Sequence, residues 1–135
     1  DVGGLVLVEP SHADLPTRMR TGMPDEDWRA WTERLGQLNR DGLVEKAVAQ
    51  RAQRSSTPRI PVTILTADRR RDGDGWDRRF LNEAARQVHA SMLRGAAPGR
   101  HVPAAGSGPD VHVEDPGLVA AEIRRMVDRV RRRGS

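Results

Sequence analysis

The stretch that decides the fold runs from Ile60 to Asp68 and reads I-P-V-T-I-L-T-A-D. It is apolar almost throughout and rich in β-branched residues, which is typical of a strand buried on both faces of a parallel sheet. A similar run, G-L-V-L-V-E, spans Gly4 to Glu9, and a shorter, weaker one spans Arg100 to Ala105. The sequence therefore predicts three strands.

Helical patterns follow each predicted strand. Apolar residues recur at three- and four-residue spacing, which gives an amphipathic helix one buried stripe. The predicted helices cover Pro24 to Leu38, Gly42 to Gln53, Trp76 to Leu93 and Pro116 to about Arg132, and the stripe of the last one comprises Leu118, Ile123, Met126, Val127 and Val130. Strands that alternate with helices favour right-handed crossovers. The expected fold class is α/β, with a partial three-stranded parallel sheet and flanking helices.

Composition narrows the classes of function. The chain has 135 residues, enough for about one small domain. Its formal net charge is +4, and almost all of its positively charged residues are arginines. This bias fits a GC-rich, bacterial coding sequence better than nucleic-acid binding, because the basic clusters at Arg69 to Arg71 and Arg124 to Arg133 lack interleaved aromatic residues. The absence of cysteine excludes disulfides and a thiol nucleophile.

Targeting and cofactor signals are also weak. The first residues resemble a strand and not a signal peptide, and no apolar run reaches the length of a membrane span, so we expect a cytoplasmic protein. His89 and His101 stand apart in the sequence, and the D-G-D-G run from Asp72 lacks the spacing of a calcium loop. We expect no metal, no cofactor, no nucleic acid and no membrane partner.

Three segments in this order resemble the last three strands of the α/β-hydrolase family. They are Gly4 to His12, Ile60 to Asp68, and R-H-V-P-A-A-G-S-G-P-D-V-H-V-E-D-P-G-L-V from Arg100 to Val119. The third is the most specific. In the family a Gly-Ser-Gly-His run, a second histidine and an acidic-Pro pair precede the last helix, and this chain has Gly106 to Gly108, His112 and Asp115-Pro116 in register.

The resemblance implies a division of the chain. Residues 1–10 correspond to a core strand, residues 11–58 to a helical, cap-like insert, and residues 59–135 to the C-terminal part of the hydrolase core. It also implies a serine hydrolase acting on a small ester-like or related acyl substrate. Trp28 and Trp31 could line a pocket in the cap, although a stripe buried against neighbouring helices explains them more simply.

Two departures from the family pattern affect catalysis. The chain has no G-x-S-x-G elbow to carry the nucleophile, and Ser107 between its glycines reads as part of a flexible turn over Ala105 to Pro109. Pro109 occupies the position of the family's general-base histidine, and proline has no titratable group. His112 corresponds to the second histidine and could replace the base only if the loop were remodelled.

The acid of a triad has two candidates, because Glu9 and Asp68 each end a predicted strand. Glu9 could instead bind the turn at Ser11, and Asp68 could pair with Arg69 or Arg70. Three hypotheses stay open: a hydrolase fragment that is inactive alone, a non-catalytic relative that binds a ligand, and a small basic interaction domain. The apolar Gly4 to Glu9 strand has no predicted partner on one side, which favours self-association.

Overall fold

The computed structural model describes residues 2–10, 12, 14–40, 59–69 and 78–134. Three parallel strands form one sheet in the order β1-β2-β3, with β1 at Leu5–Val8, β2 at Val62–Ala67 and β3 at Gly99–Ala104. The register pairs Val8 with Leu65 and Leu65 with Val102. The α/β class and the three-stranded parallel sheet are confirmed, and the Ile60 to Asp68 stretch contains the central strand.

Five helices are described around this sheet. They are α1 (Asp14–Gly22), α2 (Asp25–Arg40), α3 (Arg78–Met92), the short α4 (Val111–Glu114) and α5 (Pro116–Arg133). The helix predicted over Gly42 to Gln53 and the loop acids Asp72 and Asp74 lie outside the described residues. Within the predicted insert, α1 lies directly against α3, where the Arg18 guanidinium donates to the Gln87 side chain at 2.9 Å.

Strand β2 is buried along its whole length, and its side chains alternate between the two faces of the sheet. Toward α5, Leu65 and Ala67 pack with Val102, Ala104 and Val111 in the main core cluster. Toward α3, Ile64 and Thr66 face the buried residues Ala85 and Val88 of that helix. Strand β1, at the edge, is only half-buried at all four positions.

The stripe predicted for the last helix is partly wrong. Met126 is buried as expected, but Ile123 is 47% exposed and Val127 is 41% exposed, while the charged Glu122 is buried. The buried direction of α5 runs through positions 122 and 126, and positions 123 and 127 lie about 100° further round the helix, on the side of Val130. The Val130 side chain lies next to Gly3 and Gly4, just before β1. Ile123 and Val127 therefore lie on the side of α5 that is nearest the outer edge of that strand.

Glu122 is buried because two arginines accompany its carboxylate. The Arg100 guanidinium donates to the Glu122 carboxylate through Nε at 3.1 Å and through Nη2 at 3.3 Å. Arg125 Nε lies 3.5 Å from the same carboxylate. Both arginine side chains are about half exposed, so their positive charges remain in water while the carboxylate stays paired. An apolar stripe read from periodicity alone misses a charged residue stabilised in this way.

Candidate functional site at the carboxyl ends of the strands

The candidate site lies where the three parallel strands end. Parallel strands bring their carboxyl ends to one edge of a sheet, which is where open α/β sheets usually bind ligands. Glu9 follows β1, Asp68 follows β2, and the segment from Ala105 to Asp110, which we call the strand-end loop, follows β3. The two acids named from the sequence therefore lie at the same edge of the sheet as this loop.

Glu9 binds the end of β1 to β2 through its backbone and its side chain. Its backbone N–H donates to the Leu65 carbonyl at 3.0 Å, and its φ is +46°, a left-handed conformation that turns the chain away from the sheet. Its carboxylate oxygen Oε1 accepts a hydrogen bond from the Ala67 N–H. The side chain thus takes the position of the next β1 carbonyl, which gives Glu9 a structural role at the strand end.

Asp68 connects β2 to the strand-end loop. It is half-buried, and its Oδ1 accepts a hydrogen bond from the Gly106 N–H at 2.6 Å. One residue further, the Arg69 N–H donates to the Ser107 carbonyl at 2.9 Å. On the other side, the Asn82 side chain of α3 donates to the Asp68 carbonyl. Among the described residues, Asp68 forms no ion pair with Arg69. Its carboxylate bonds instead to the Gly106 N–H of the strand-end loop.

The strand-end loop makes hydrogen bonds to the residues around it. Gly106 adopts a φ of +72°, which allows the Ser107 N–H to reach the Ala104 carbonyl at 3.1 Å. The Gly108 N–H donates to Glu114 Oε2 at 3.0 Å. A Cβ at Gly108 would lie 2.6 Å from Glu114 Oε1 and 3.4 Å from the Arg69 carbonyl oxygen, so a larger residue here would displace the Glu114 side chain from its bond to the Gly108 N–H.

Ser107 is unsuited to act as a nucleophile in this conformation. Its residue is 3% exposed, and its Oγ donates to the Gly108 carbonyl at 3.1 Å. An activated serine instead donates its hydroxyl hydrogen to a general base. The interpretation of Ser107 as a turn residue agrees with this geometry.

Pro109 is half-buried in the strand-end loop, and His112 is exposed on α4. In the described part of the chain, His112 has no hydrogen bond to Glu9 or Asp68. The structure thus brings together Asp68, Glu9 and the Gly106 to Gly108 backbone, and leaves His112 out of their hydrogen-bond network. Pro109, in the same loop, has no titratable side chain.

A second polar cluster was missed from the sequence. Thr66 Oγ1 lies 2.7 Å from His89 Nδ1 and 2.7 Å from His101 Nε2, between β2 and α3, and His89 Nε2 lies 2.9 Å from the Pro10 carbonyl oxygen. Burial, and then the nearby Arg86 charge, lower the pKa of His101 below its usual 6.5. His89 falls on the buried stripe of α3 with Ala85, and Thr66 is polar within an apolar strand; these were the available signals.

Other binding features lie away from this edge or are absent. A small cleft lined by residues such as Val62, Gly99 and Arg129 lies at the opposite, amino-terminal ends of β2 and β3. Within residues 2–40, 59–69 and 78–134, apart from positions 11 and 13, no group of three or more His, Cys, Asp or Glu side chains could hold a metal ion. None of the described helices is long and apolar enough to cross a bilayer.

Comparison with family models, with curated proteins and with solved structures found no match in any of the three.

Proposed function

We propose that this chain carries the acid and loop portion of a serine-hydrolase site of the α/β-hydrolase type, for ester or related acyl bonds, and that it is inactive alone. The observation that carries the proposal is the hydrogen bond from the Gly106 N–H to Asp68 Oδ1 at 2.6 Å. It ties a carboxylate at the end of a central parallel strand to the loop after the next strand. An acid that orients a histidine base needs this kind of placement.

Asp68 is the stronger of the two candidate acids. Its carboxylate bonds directly to the loop that contains position 109, whereas the Glu9 carboxylate bonds to the Ala67 N–H of the neighbouring strand. The proposal therefore assigns Asp68 to orienting the base and Glu9 to holding the strand end. His112, which is exposed and outside the network, has no role in the proton transfer.

The inactivity follows from two missing groups. Proline at position 109 cannot take a proton from a serine hydroxyl, and general-base catalysis contributes roughly 10²- to 10⁴-fold in rate. The sequence also lacks a G-x-S-x-G elbow, and Ser107 is buried and bonded to its own loop. The proposal places the nucleophile and the oxyanion donors on polypeptide outside these 135 residues.

Esterase activity of the protein made from its complete gene tests the proposal. The wild type, Pro109→His and Pro109→Ala are compared on p-nitrophenyl butyrate; the alanine variant controls for loss of the proline ring. We expect Pro109→His to raise kcat/KM by about 10²-fold or more over both others, since only it supplies a base. Equal turnover in all three would show that position 109 is not the base.

A non-catalytic relative is the second candidate, and the proline at position 109 favours it. Such a protein would bind an ester-like ligand at the strand ends without turnover. Binding of a non-hydrolysable analogue, p-nitrophenyl butyl ether, measured by calorimetry separates the candidates. Tight binding by a wild type that shows no turnover, with turnover only in Pro109→His, would support the non-catalytic relative over the hydrolase.

A further inference from the structure

The polar cluster between β2 and α3 contains a continuous chain of hydrogen bonds. It begins at His101 on β3, passes through the hydroxyl of Thr66 on β2 and the ring of His89 on α3, and ends at the Pro10 carbonyl. Thr66 is fully buried and His89 is 2% exposed, so water does not compete for the bond between them. The chain links β3, β2 and α3 to the turn after β1.

The last bond fixes the direction of all the others. A carbonyl oxygen only accepts, so His89 Nε2 carries the hydrogen that binds Pro10. In a neutral ring His89 Nδ1 then accepts, and it accepts the only hydrogen of the Thr66 hydroxyl. That hydroxyl has no second hydrogen to give, so His101 Nε2 must donate to Thr66. A doubly protonated His89 ring would reverse the chain, because its Nδ1–H would donate to Thr66 and the Thr66 hydroxyl would donate to His101 Nε2; the direction from His101 to Pro10 therefore belongs to the neutral His89 ring.

We infer that His101, Thr66 and His89 form a directed hydrogen-bond relay that positions the Glu9–Pro10 turn, with both imidazoles in the Nε2–H tautomer. The turn needs such support because Glu9 holds a left-handed φ of +46°, a conformation that is unfavourable for a non-glycine residue. Fixing the Pro10 carbonyl on the side of α3 keeps the Glu9 carboxylate on the Ala67 N–H. These are positioning residues, and their relation to catalysis rests on the proposed function.

The charges around the relay are compatible with this direction. Arg86 of α3 lies near His101 and opposes a second positive charge there, and its Nε is buried without a hydrogen-bond partner among the described residues. From β1 the nearest acid is Glu9, whose Oε1 bonds to the Ala67 N–H; from β2 it is Asp68, whose Oδ1 bonds to Gly106. In the described residues, neither carboxylate hydrogen-bonds to His101, so a neutral ring is favoured.

Nitrogen-15 NMR of the histidine rings tests the relay in the wild-type chain. At about pH 8, above the ordinary imidazole pKa, we expect both His89 and His101 to show protonated Nε2 and unprotonated Nδ1. A protonated Nδ1 on either ring would overturn the inference. This measurement requires no variant and no enzymatic activity, so it can succeed even if the esterase test fails.

Two variants of Thr66 test the positioning role. Thr66→Val keeps the shape and removes the hydroxyl, whereas Thr66→Ser keeps the hydroxyl. In the valine variant, we expect hydrogen exchange of the Ala67 amide to accelerate about fivefold, the effect of one lost buried hydrogen bond, and His101 to populate both tautomers; serine should restore both wild-type values. The Gly108 amide, bonded to Glu114, should not change and controls for global destabilisation. Unchanged Ala67 exchange in Thr66→Val would refute positioning.

Discussion

Removing the Asp68 carboxylate should destabilise the chain through the strand-end loop. Asp68→Ala deletes the acceptor of the 2.6 Å bond from the Gly106 N–H. A hydrogen bond to a charged group contributes about 1.5–3 kcal/mol. Because Asp68 is only half-buried and Gly106 is exposed, solvent screening lowers the expected loss to about 1–2 kcal/mol.

Urea denaturation followed by far-ultraviolet circular dichroism measures this loss. With an m-value of roughly 1.5 kcal/mol per M for a chain of this size, the midpoint should fall by about 1 M. Asp110→Ala is the matched control, because Asp110 lies in the same loop, is exposed and makes no side-chain cap to α4. Asp68→Asn should lose less than the alanine variant, since its amide oxygen can still accept.

Equal stability of Asp68→Ala and Asp110→Ala would contradict this expectation. It would mean that Asp68 does not hold the loop, and the assignment of Asp68 as the orienting acid would lose its structural basis.

Two further predictions concern His101 and the outer edge of β1. The folded state lowers the pKa of His101, so the unfolded chain binds more protons below about pH 6.5; stability from this residue is full above that pH and decreases as the pH falls toward the folded-state pKa. In His101→Gln, pH-dependent thermal unfolding should lack this component, and an unchanged profile would contradict it. Second, β1 is an edge strand, and the exposed side chains of Ile123 and Val127 lie near its outer edge. We expect this surface to drive self-association of the chain. Sedimentation should show Ile123→Glu shifted toward monomer relative to the neighbouring Arg124→Glu, and identical distributions would refute this.

The sheet could be predicted from the sequence because its signal is local. Strand β2 is an apolar run that the structure buries at every position, and the alternation of strands with helices leaves a parallel arrangement as the simplest one. The boundaries differ by one or two residues, as at Val62 against the predicted Ile60. The acids Glu9 and Asp68 were also predictable as neighbours, since parallel strands end at one edge.

Features that depend on contacts between distant residues could not be predicted in the same way. Glu122 is buried by arginines from β3 and from its own helix, and no periodicity in α5 indicates it. His89 and His101 are far enough apart in sequence to look unrelated until Thr66 lies between them. The strand-end loop hydrogen-bonds to Asp68, Arg69 and Glu114, none of which lies within the loop.

We propose that Asp68 orients the residue at position 109. A double-mutant cycle on kcat/KM in the complete gene product measures the coupling between the two positions. In the Pro109→His background, Asp68→Asn should lower kcat/KM by roughly 10²- to 10⁴-fold, because the new base loses its orienting acid. In the wild-type background the same change should have little effect, and Glu9→Gln should act equally in both. An equal effect of Asp68→Asn in the two backgrounds would contradict the account.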